Sequence, residues 1–391
     1  MRALRFGHSL PRYAAARVAG SLSPGLGARV GPLKLAEIDE PELPGPGWQR
    51  VRPRLAGICG SDLSTIDGKS SRYFEPLVSF PFVPGHEVVG ELAGGERVVI
   101  EPVLGCAVRG VDPPCGACGQ GRADCCERLA FGDLGAGMQT GYCSGTGGGW
   151  STSLVAHDSQ VHPVPEAMSD EAAVMVEPAA CAIHGVLGAG PLTGATVLVL
   201  GAGTLGLCAV AALRRYTGPA TVIAVAKYPE QRALAADLGA DVVVRPEETR
   251  RAVRRATGSL KLGDRLAGGA DVVVDCVGSA SSVAEDLAVV RPGGVVALLG
   301  MPSVVSVDMT ALWQRQVTLR GSYAYGFEAA ADPPRRTFDL AFELVAEAGL
   351  DRLVSATYPL DRYREAIDHA ANAGRRGAVK VVFDLRGEKR R

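Results

Sequence analysis

The chain is short of the features that carry a protein onto a nucleic acid or into a membrane. Its 41 Lys and Arg nearly balance 42 Asp and Glu, for a net charge of −1 with both signs interspersed. That balance leaves no electrostatic footprint for nucleic acid or for an anionic lipid surface. Long apolar runs are lacking too. The opening MRALRFGHSLPRYAAARVAG has a few arginines but no continuous hydrophobic segment, and no stretch near eighteen apolar residues is visible. A secretory leader and a membrane span are therefore not expected, and the expected compartment is the cytoplasm. Only six of the basic residues are lysine, a skew that points to a GC-rich bacterial genome. Aromatics make up 5% of the chain, too few to advertise a substrate. Internal repeats and low-complexity linkers are absent, and the basic end, residues 386–391, reads as a solvated tail.

What the chain does have is glycine, a regular apolar alternation and clustered cysteine. With 391 residues, 47% of them hydrophobic, it is too long for one ordinary core, and two domains are expected. From Ala195 the pattern becomes regular. TVLVL (196–200) reads as a buried parallel strand, followed by GAGTLG and an apolar helical run from Leu205 to Tyr216. The alternation continues through TVIAVA (221–226), a helix over PEQRALAADLG, DVVV (241–244), ADVVVDCVG (270–278), a helix from Ala280 to Val290, GGVVALLG (293–300) and QVTLRGS (316–322). Six strands with intervening helices predict an α/β, doubly wound sheet of the Rossmann type. Residues 1–180 differ. Short β-rich runs such as ERVVI (96–100) are separated by Gly, Pro and Cys clusters, with no sustained helical period before about Asp170. This part is expected to be a mostly-β, loop-rich domain. The C-terminal segment reads helix, helix, strand, and fits either domain.

Gly201, Gly203 and Gly206 form G-x-G-x-x-G directly after a strand and at a helix start, with Thr204 and Leu205 between the last two. The first glycine permits the tight turn, the second lets backbone approach a pyrophosphate, and the third lets helix pack on strand. This is the expected dinucleotide site. An acid that grips the adenosine ribose is expected about 20 residues further on, at the end of the second strand. Ala226 stands there, followed by Lys227, Tyr228 and, one helical turn on, Arg232. A missing acid beside cations accommodates a 2′-phosphate, so NADP is favoured over NAD.

Five of the ten cysteines fall within CAVRGVDPPCGACGQGRADCC, residues 106–126. In a reducing compartment such a cluster is expected to hold metal, zinc foremost, in preference to disulfides. Three other stretches, GICGSD (57–62), PGHEVVG (84–90) and VEPAACAIH (176–184), each offer a ligand. Cys59, His86 and Glu177 together supply S, N and O donors, three protein ligands with a fourth position open, as a catalytic zinc requires.

From VRPRLAGICGSD through VPGHEVVG, the cysteine lobe and the glycine motif to RGSYAYG (320–326), the chain resembles the zinc-dependent medium-chain dehydrogenases/reductases, the alcohol and polyol dehydrogenase family, over nearly its whole length. The resemblance implies a GroES-like catalytic domain, residues 1–180 and 325–391, interrupted by a Rossmann dinucleotide-binding domain, residues 181–324, with zinc meeting nicotinamide in a cleft between them. It implies Cys59 and His86 as the first two catalytic zinc ligands and Glu177 as the third, in the manner of the polyol, sugar and threonine branch. Cys181, four residues on, competes for that place and is left as a core cysteine. Glu87 resembles a second glutamate that sits close to zinc and exchanges with its water. Asp62 resembles a carboxylate that orients His86, and Ser61 the hydroxyl that bonds the reacting oxygen and relays its proton. Many relatives end the relay with a histidine where this chain has Ser64, which passes a proton through water but cannot hold one near neutral pH. Asp67 reads as a loop residue.

In the cysteine lobe the family pattern C-x2-C-x2-C-x7-C is met by Cys115, Cys118 and Cys126. Cys106 then closes a structural zinc site across an inserted loop, AVRGVDPP, and Cys125 is the spare. The implied activity is hydride transfer between NADP(H), or NAD(H), and an alcohol or carbonyl; the glutamate ligand tilts the choice towards polyols, sugars or amino-alcohols. The implied partners are a small-molecule substrate and further copies of the chain in a homodimer or homotetramer, with contacts near 293–300 and at the cysteine lobe. Two readings compete: a zinc-free reductase acting on an activated double bond or quinone, and a nonenzymatic zinc-binding protein built on the cysteine cluster. Trp150, after a glycine-rich loop, and Glu101 are candidate substrate contacts, Trp150 reading equally as a packing anchor.

Overall fold

A computed structural model describes residues 1–263, 265–329, 331 and 333–388. The chain divides into two compact units, Met1–Glu177 with Gly349–Arg391, and Pro178–Ala348.

The first unit is built on the strand Trp48–Gly57, whose Val51, Leu55 and Ala56 are fully buried. Along one edge it pairs antiparallel with Val88–Leu92, which leads on through Arg97–Ile100 to Val161–Pro163. Its other edge is shared: Leu154–His157 pairs with the Trp48 end and Lys380–Asp384 with the Gly57 end, and Val354–Tyr358 runs parallel to the latter. A sheet that takes a strand from each end of the sequence brings residues far apart in the chain to one place.

The second unit is a six-stranded parallel sheet. Its spatial order is 242–244, 221–225, 196–200, 270–275, 290–298, 318–321. In chain order that is 3-2-1-4-5-6, the doubly wound arrangement. Val197–Val199, Val222–Val225 and Val272–Val274 are buried along their length, as strands covered on both faces must be.

Three expectations shift. The return to the first unit comes at Gly349, later than Tyr325, because Tyr325 meets Phe338 edge-on at 4.8 Å and the helix Thr337–Ala348 packs on Thr204–Tyr216, with the Tyr216 hydroxyl donating to Leu340 O. A helix forms far earlier than Asp170, at Leu10–Leu22. Its small residues let it lie close to the chain around Asp67: a Cβ on Gly20 would stand 2.6 Å from the Asp67 side chain. The outward Leu10, Val18 and Leu22 are exposed, which erases the amphipathic period a sequence scan relies on. Finally, the run Asp170–Gly188, with a mean hydropathy of 1.2, is long and apolar enough to cross a membrane by composition; 72% of it is buried inside the protein, as in a core helix. Of the basic end, residues 389–391 lie outside the described residues, and Arg386 is no loose tail, being paired with Asp384 at 2.7 Å and Glu171 at 3.1 Å.

Candidate active site and metal centres

Directly after the strand Trp48–Gly57, Cys59 stands as the N-cap of the helix Gly60–Ile66. Its side chain accepts from the backbone N–H of Asp62, while Asp62 Oδ2 accepts from Cys59 N at 3.0 Å, a capping box that fixes the thiol and the carboxylate together. The other Asp62 oxygen lies 3.7 Å from His86 Nδ1 and accepts from the Tyr142 hydroxyl at 3.3 Å. Donor atoms of Cys59, His86 and Glu87 all lie within 4.8 Å of one another. Burial lowers the His86 pKa, but the Asp62 carboxylate and Cys59 more than offset it and hold the imidazole well above its ordinary value. Burial likewise pushes up Asp62, with His86 pulling it back, and the Tyr142 hydroxyl is driven well up by burial and by Asp62. His86 Nδ1 and Ser61 Oγ are buried without a hydrogen-bond partner among the described residues. A soft thiol, an imidazole and a carboxylate converging on one buried point fit zinc, which takes S, N and O donors in tetrahedral sites.

Glu87 has a partner that sequence reasoning missed. Lys380, on the strand Lys380–Asp384, is 2% exposed, forms an ion pair with Glu87, and donates to Ile58 O at 3.3 Å. Burial lowers the Lys380 pKa, and the Glu87 carboxylate reverses the effect and leaves it raised. Room for the pair exists because position 57 is glycine: a Cβ there would lie 1.8 Å from Glu87 Oε2. The only signal in the sequence is one lysine inside an otherwise apolar strand, AVKVVF. Glu177, in the first turn of the helix Val176–Gly188, is buried and bears electrostatically on His86 and Lys380. It is not in the compact trio, where Glu87 stands instead. Cys181, one turn beyond Glu177, is half-buried.

In the lobe, the sulfurs of Cys106, Cys115, Cys118 and Cys126 lie within 4.8 Å of one another, Cys106 and Cys126 at 3.7 Å. Cys125 is exposed and outside the group, bonded by Arg122 at 2.8 Å. Backbone N–H groups of Glu127 and Cys118 lower the Cys115 thiol to about 6, while burial raises Cys118 and Cys126. Four convergent sulfurs fit a closed S4 zinc site, the inserted loop bulging between the first and second donors.

In the second unit Gly201 takes φ 92° and Gly206 packs so closely that a Cβ would lie 1.8 Å from Gly201 O. Gly203 caps the helix Thr204–Tyr216 with no side-chain hydrogen bond and faces open space. The first-turn N–H groups, Thr204 and Leu205 included, thus open a helix N-terminus suited to a phosphate. At the end of the strand Thr221–Val225, Ala226 is buried and Lys227 exposed, its ammonium 5.7 Å from the Tyr228 ring centre. Arg232 donates to the carbonyls of Ala226 and Lys227, so it braces this turn from beneath.

Other candidates have structural duties. Trp150 is fully buried, donates to Gly57 O at 3.0 Å and meets Phe383 edge-on at 5.1 Å; it is a packing anchor. Glu101 is buried against His162 Nε2 at 2.8 Å. Asp67 is buried and accepts from Gly25 N and Gly27 N, tying down the turn after the N-terminal helix. Ser64 is half-buried on the Gly60–Ile66 helix.

Comparison with known proteins agrees with both units. Residues 45–166 match the profile of the alcohol dehydrogenase GroES-like domain, and residues 204–347 that of the zinc-binding dehydrogenases. The chain belongs to the zinc-dependent medium-chain dehydrogenase/reductase family. It is 31% identical to an L-threonine 3-dehydrogenase of Streptomyces avermitilis, covering 90% of this chain and 96% of that one. It is 29% identical to an L-idonate 5-dehydrogenase of Vitis vinifera, covering 90% and 92%. Among solved structures, a protein of Sinorhizobium meliloti 1021 described as a zinc-binding dehydrogenase and bound to NADP superposes with a TM-score of 0.72 at 26% identity, over 98% of each chain.

Proposed function

We propose that this chain is a zinc-dependent oxidoreductase that moves a hydride between NADP(H) and a hydroxyl-bearing carbon, or its carbonyl, in a polyol, sugar or amino-alcohol. The observation that carries the proposal is the convergence of half-buried Cys59 with buried His86 and Glu87 in a chain that also folds a G-x-G-x-x-G turn. The substrate class is supported by relatives named for idonate and threonine. NADP is supported by Ala226 in place of an acid, by Lys227 beside it, and by the NADP-bound structural relative.

Zinc supplies polarisation of the substrate oxygen, and nicotinamide carries the hydride. The chain's own residues do the rest. Cys59 and His86 would hold the metal, with Glu87 and Glu177 as the carboxylates available for a third place; Cys106, Cys115, Cys118 and Cys126 would hold a second ion that takes no part in the chemistry. Asp62, fixed by Cys59 N and the Tyr142 hydroxyl, orients His86 from its Nδ1 side. The unpartnered Ser61 hydroxyl takes the proton of the substrate hydroxyl and passes it on. Ser64 leads that proton to water, since it cannot store it as an imidazole would.

A zinc-free reductase leaves the Cys59, His86 and Glu87 trio without a purpose, and a nonenzymatic zinc protein leaves the dinucleotide turn without one. Assembly as a homodimer or homotetramer is part of the same proposal and rests on the family resemblance alone. A cytoplasmic setting is supported by ten cysteines with no disulfide among the described residues.

The test is a screen of polyols, sugars, amino-alcohols and simple alcohols with NADP and NAD. The highest kcat/KM is expected with NADP and a hydroxyl-rich substrate. Lys227→Ala is expected to raise KM for NADP about tenfold more than for NAD, the loss of one exposed charge contact; equal losses would refute the phosphate role.

A further inference from the structure

The strand Ala270–Asp275 lies beside Thr196–Leu200 in the second unit and ends on Asp275, which is 0% exposed. In the order 3-2-1-4-5-6 the sequence of strands reverses between these two, and a doubly wound sheet takes its ligand in the crevice at such a point, outside the carboxyl ends of the strands. One wall of that crevice is the G-x-G-x-x-G turn after Leu200. The other is the stretch 276–279, and Asp275 holds it. Its Oδ1 accepts from Val277 N at 2.7 Å and from Gly278 N at 3.1 Å, and its Oδ2 from the Ser282 hydroxyl at 2.8 Å. Its main-chain oxygen accepts from Leu299 N and Gly300 N, both at 2.9 Å, just past the next strand, Val290–Leu298. The walls fit tightly: a Cβ on Gly201 would stand 2.5 Å from Val277 Cγ2, and one on Gly300 2.4 Å from the carbonyl carbon of Val277. Val277 is nonetheless 45% exposed, so its isopropyl group lies against the glycine turn with one face left open.

A carboxylate buried to this depth is costly unless hydrogen bonds replace its water, and three neutral donors do so here. The need runs both ways. Val277 and Gly278 follow the last paired residue of the strand, so their N–H groups have no ladder partner, and the carboxylate satisfies both. Through Ser282 the second oxygen ties the same turn to the start of the helix Ala280–Val289, where Ser279 and Ser282 form a capping box. One buried residue thus fixes the ends of two strands and the start of a helix around a single turn. We propose that Asp275 is a positioning residue for dinucleotide binding, its carboxylate holding Val277 against Gly201 so that the crevice has its bound shape before the cofactor arrives. A crevice shaped in advance spares the cofactor the cost of ordering it. The inference rests on the reading of the glycine turn as a dinucleotide site.

The experiment titrates the full-length protein with NADPH and with NADH, read by nucleotide fluorescence, and takes the Tm of each variant alongside. Asp275→Ala is expected to raise the Kd of the tighter-bound nucleotide about 10- to 100-fold, the scale of a one-ångström misplacement. Asp275→Asn keeps one oxygen for the two N–H groups and turns its amide to the Ser282 oxygen; it is expected to stay within about threefold of native, the effect of a partly kept hydrogen bond. Ser282→Ala frees the second carboxylate oxygen alone and is expected to raise Kd about three- to tenfold. Should Asp275→Ala fail to fold by circular dichroism, Ser282→Ala decides in its place. A folded alanine variant that lowers Tm yet binds nucleotide as the native protein does would overturn the inference, since Asp275 would then be a structural residue only. So would Asn and Ala variants of equal weakness, since charge, and not an aimed acceptor, would then be what counts. Native protein that binds neither nucleotide would instead sink the dinucleotide reading itself, and the positioning role with it.

Discussion

The two candidate metal centres are built in opposite ways. The cysteine lobe draws all four donors from residues 106–126, whereas the other centre draws Cys59 from one segment, the adjacent His86 and Glu87 from a second, and its buried cation, Lys380, from 293 residues beyond Glu87. A local cluster closes a short loop and needs no sheet to form it. The scattered centre exists only when the strand Trp48–Gly57 stands between Val88–Leu92 and Lys380–Asp384. Ligands fixed by three paired strands hold a geometry that a loop cannot, which is what chemistry at a metal demands. The density of reactive side chains is therefore a poor guide to the reacting place. The scattered centre also keeps a buried cation, Lys380, against a carboxylate.

The comparison can be pressed from its largest expected effect downwards. Lys380→Met leaves Glu87 buried and unpaired, and is expected to cost about 3–5 kcal/mol in a urea titration while the lobe keeps its zinc. A loss below about 1 kcal/mol would show that the scattered centre does not depend on its distant strand. Ser61→Ala is expected to lower kcat about 10²-fold with zinc content unchanged, as loss of a proton-relay group does; unaltered turnover would remove Ser61 from the chemistry.

The smallest effect concerns a buried acid that serves neither centre. Asp286, beside Asp275 in the second unit, is pushed up to about 10 by burial first and by Asp275 second. Unfolded, it ionises near pH ~4. Its contribution to stability is whole below that pH and is lost as pH rises towards 10, because the folded state holds the extra proton throughout that window. Asp286→Asn is expected to flatten the fall of Tm between pH 5 and 9 and to stabilise the protein at pH 8 by more than about 1 kcal/mol. A Tm profile parallel to that of the native protein would contradict it.

Much of this was legible in the sequence. The parallel strands read well because their β-branched residues are buried on both faces, and only their ends moved, 270–278 shortening to Ala270–Asp275 and 293–300 shifting to Val290–Leu298. Cys59 and His86 stood out by residue type, but with Glu177 as their partner, Glu87 entering only through the family resemblance; Cys115, Cys118 and Cys126 stood out by the family's spacing, which Cys106 departs from. Four things were hidden for physical reasons. The helix Leu10–Leu22 has small residues inside and apolar ones outside, so it shows no period. Lys380 gains its meaning from a partner that only sheet pairing supplies. Tyr142 reaches Asp62 across 80 residues. The nearness of Glu87 and Glu177 to His86 is a matter of backbone path, and neighbouring glutamates look alike in a sequence.

The most direct test measures zinc per chain and turnover together on Cys59→Ala and Cys115→Ser. If the scattered centre does the chemistry and the lobe only binds, each variant loses one of about two zinc ions. Cys59→Ala then drops kcat/KM by at least about 10³-fold, the several kcal/mol a Lewis acid supplies, with Tm near native. Cys115→Ser lowers Tm but keeps kcat per folded chain. Turnover that survives Cys59→Ala, or vanishes from folded Cys115→Ser, would contradict the account.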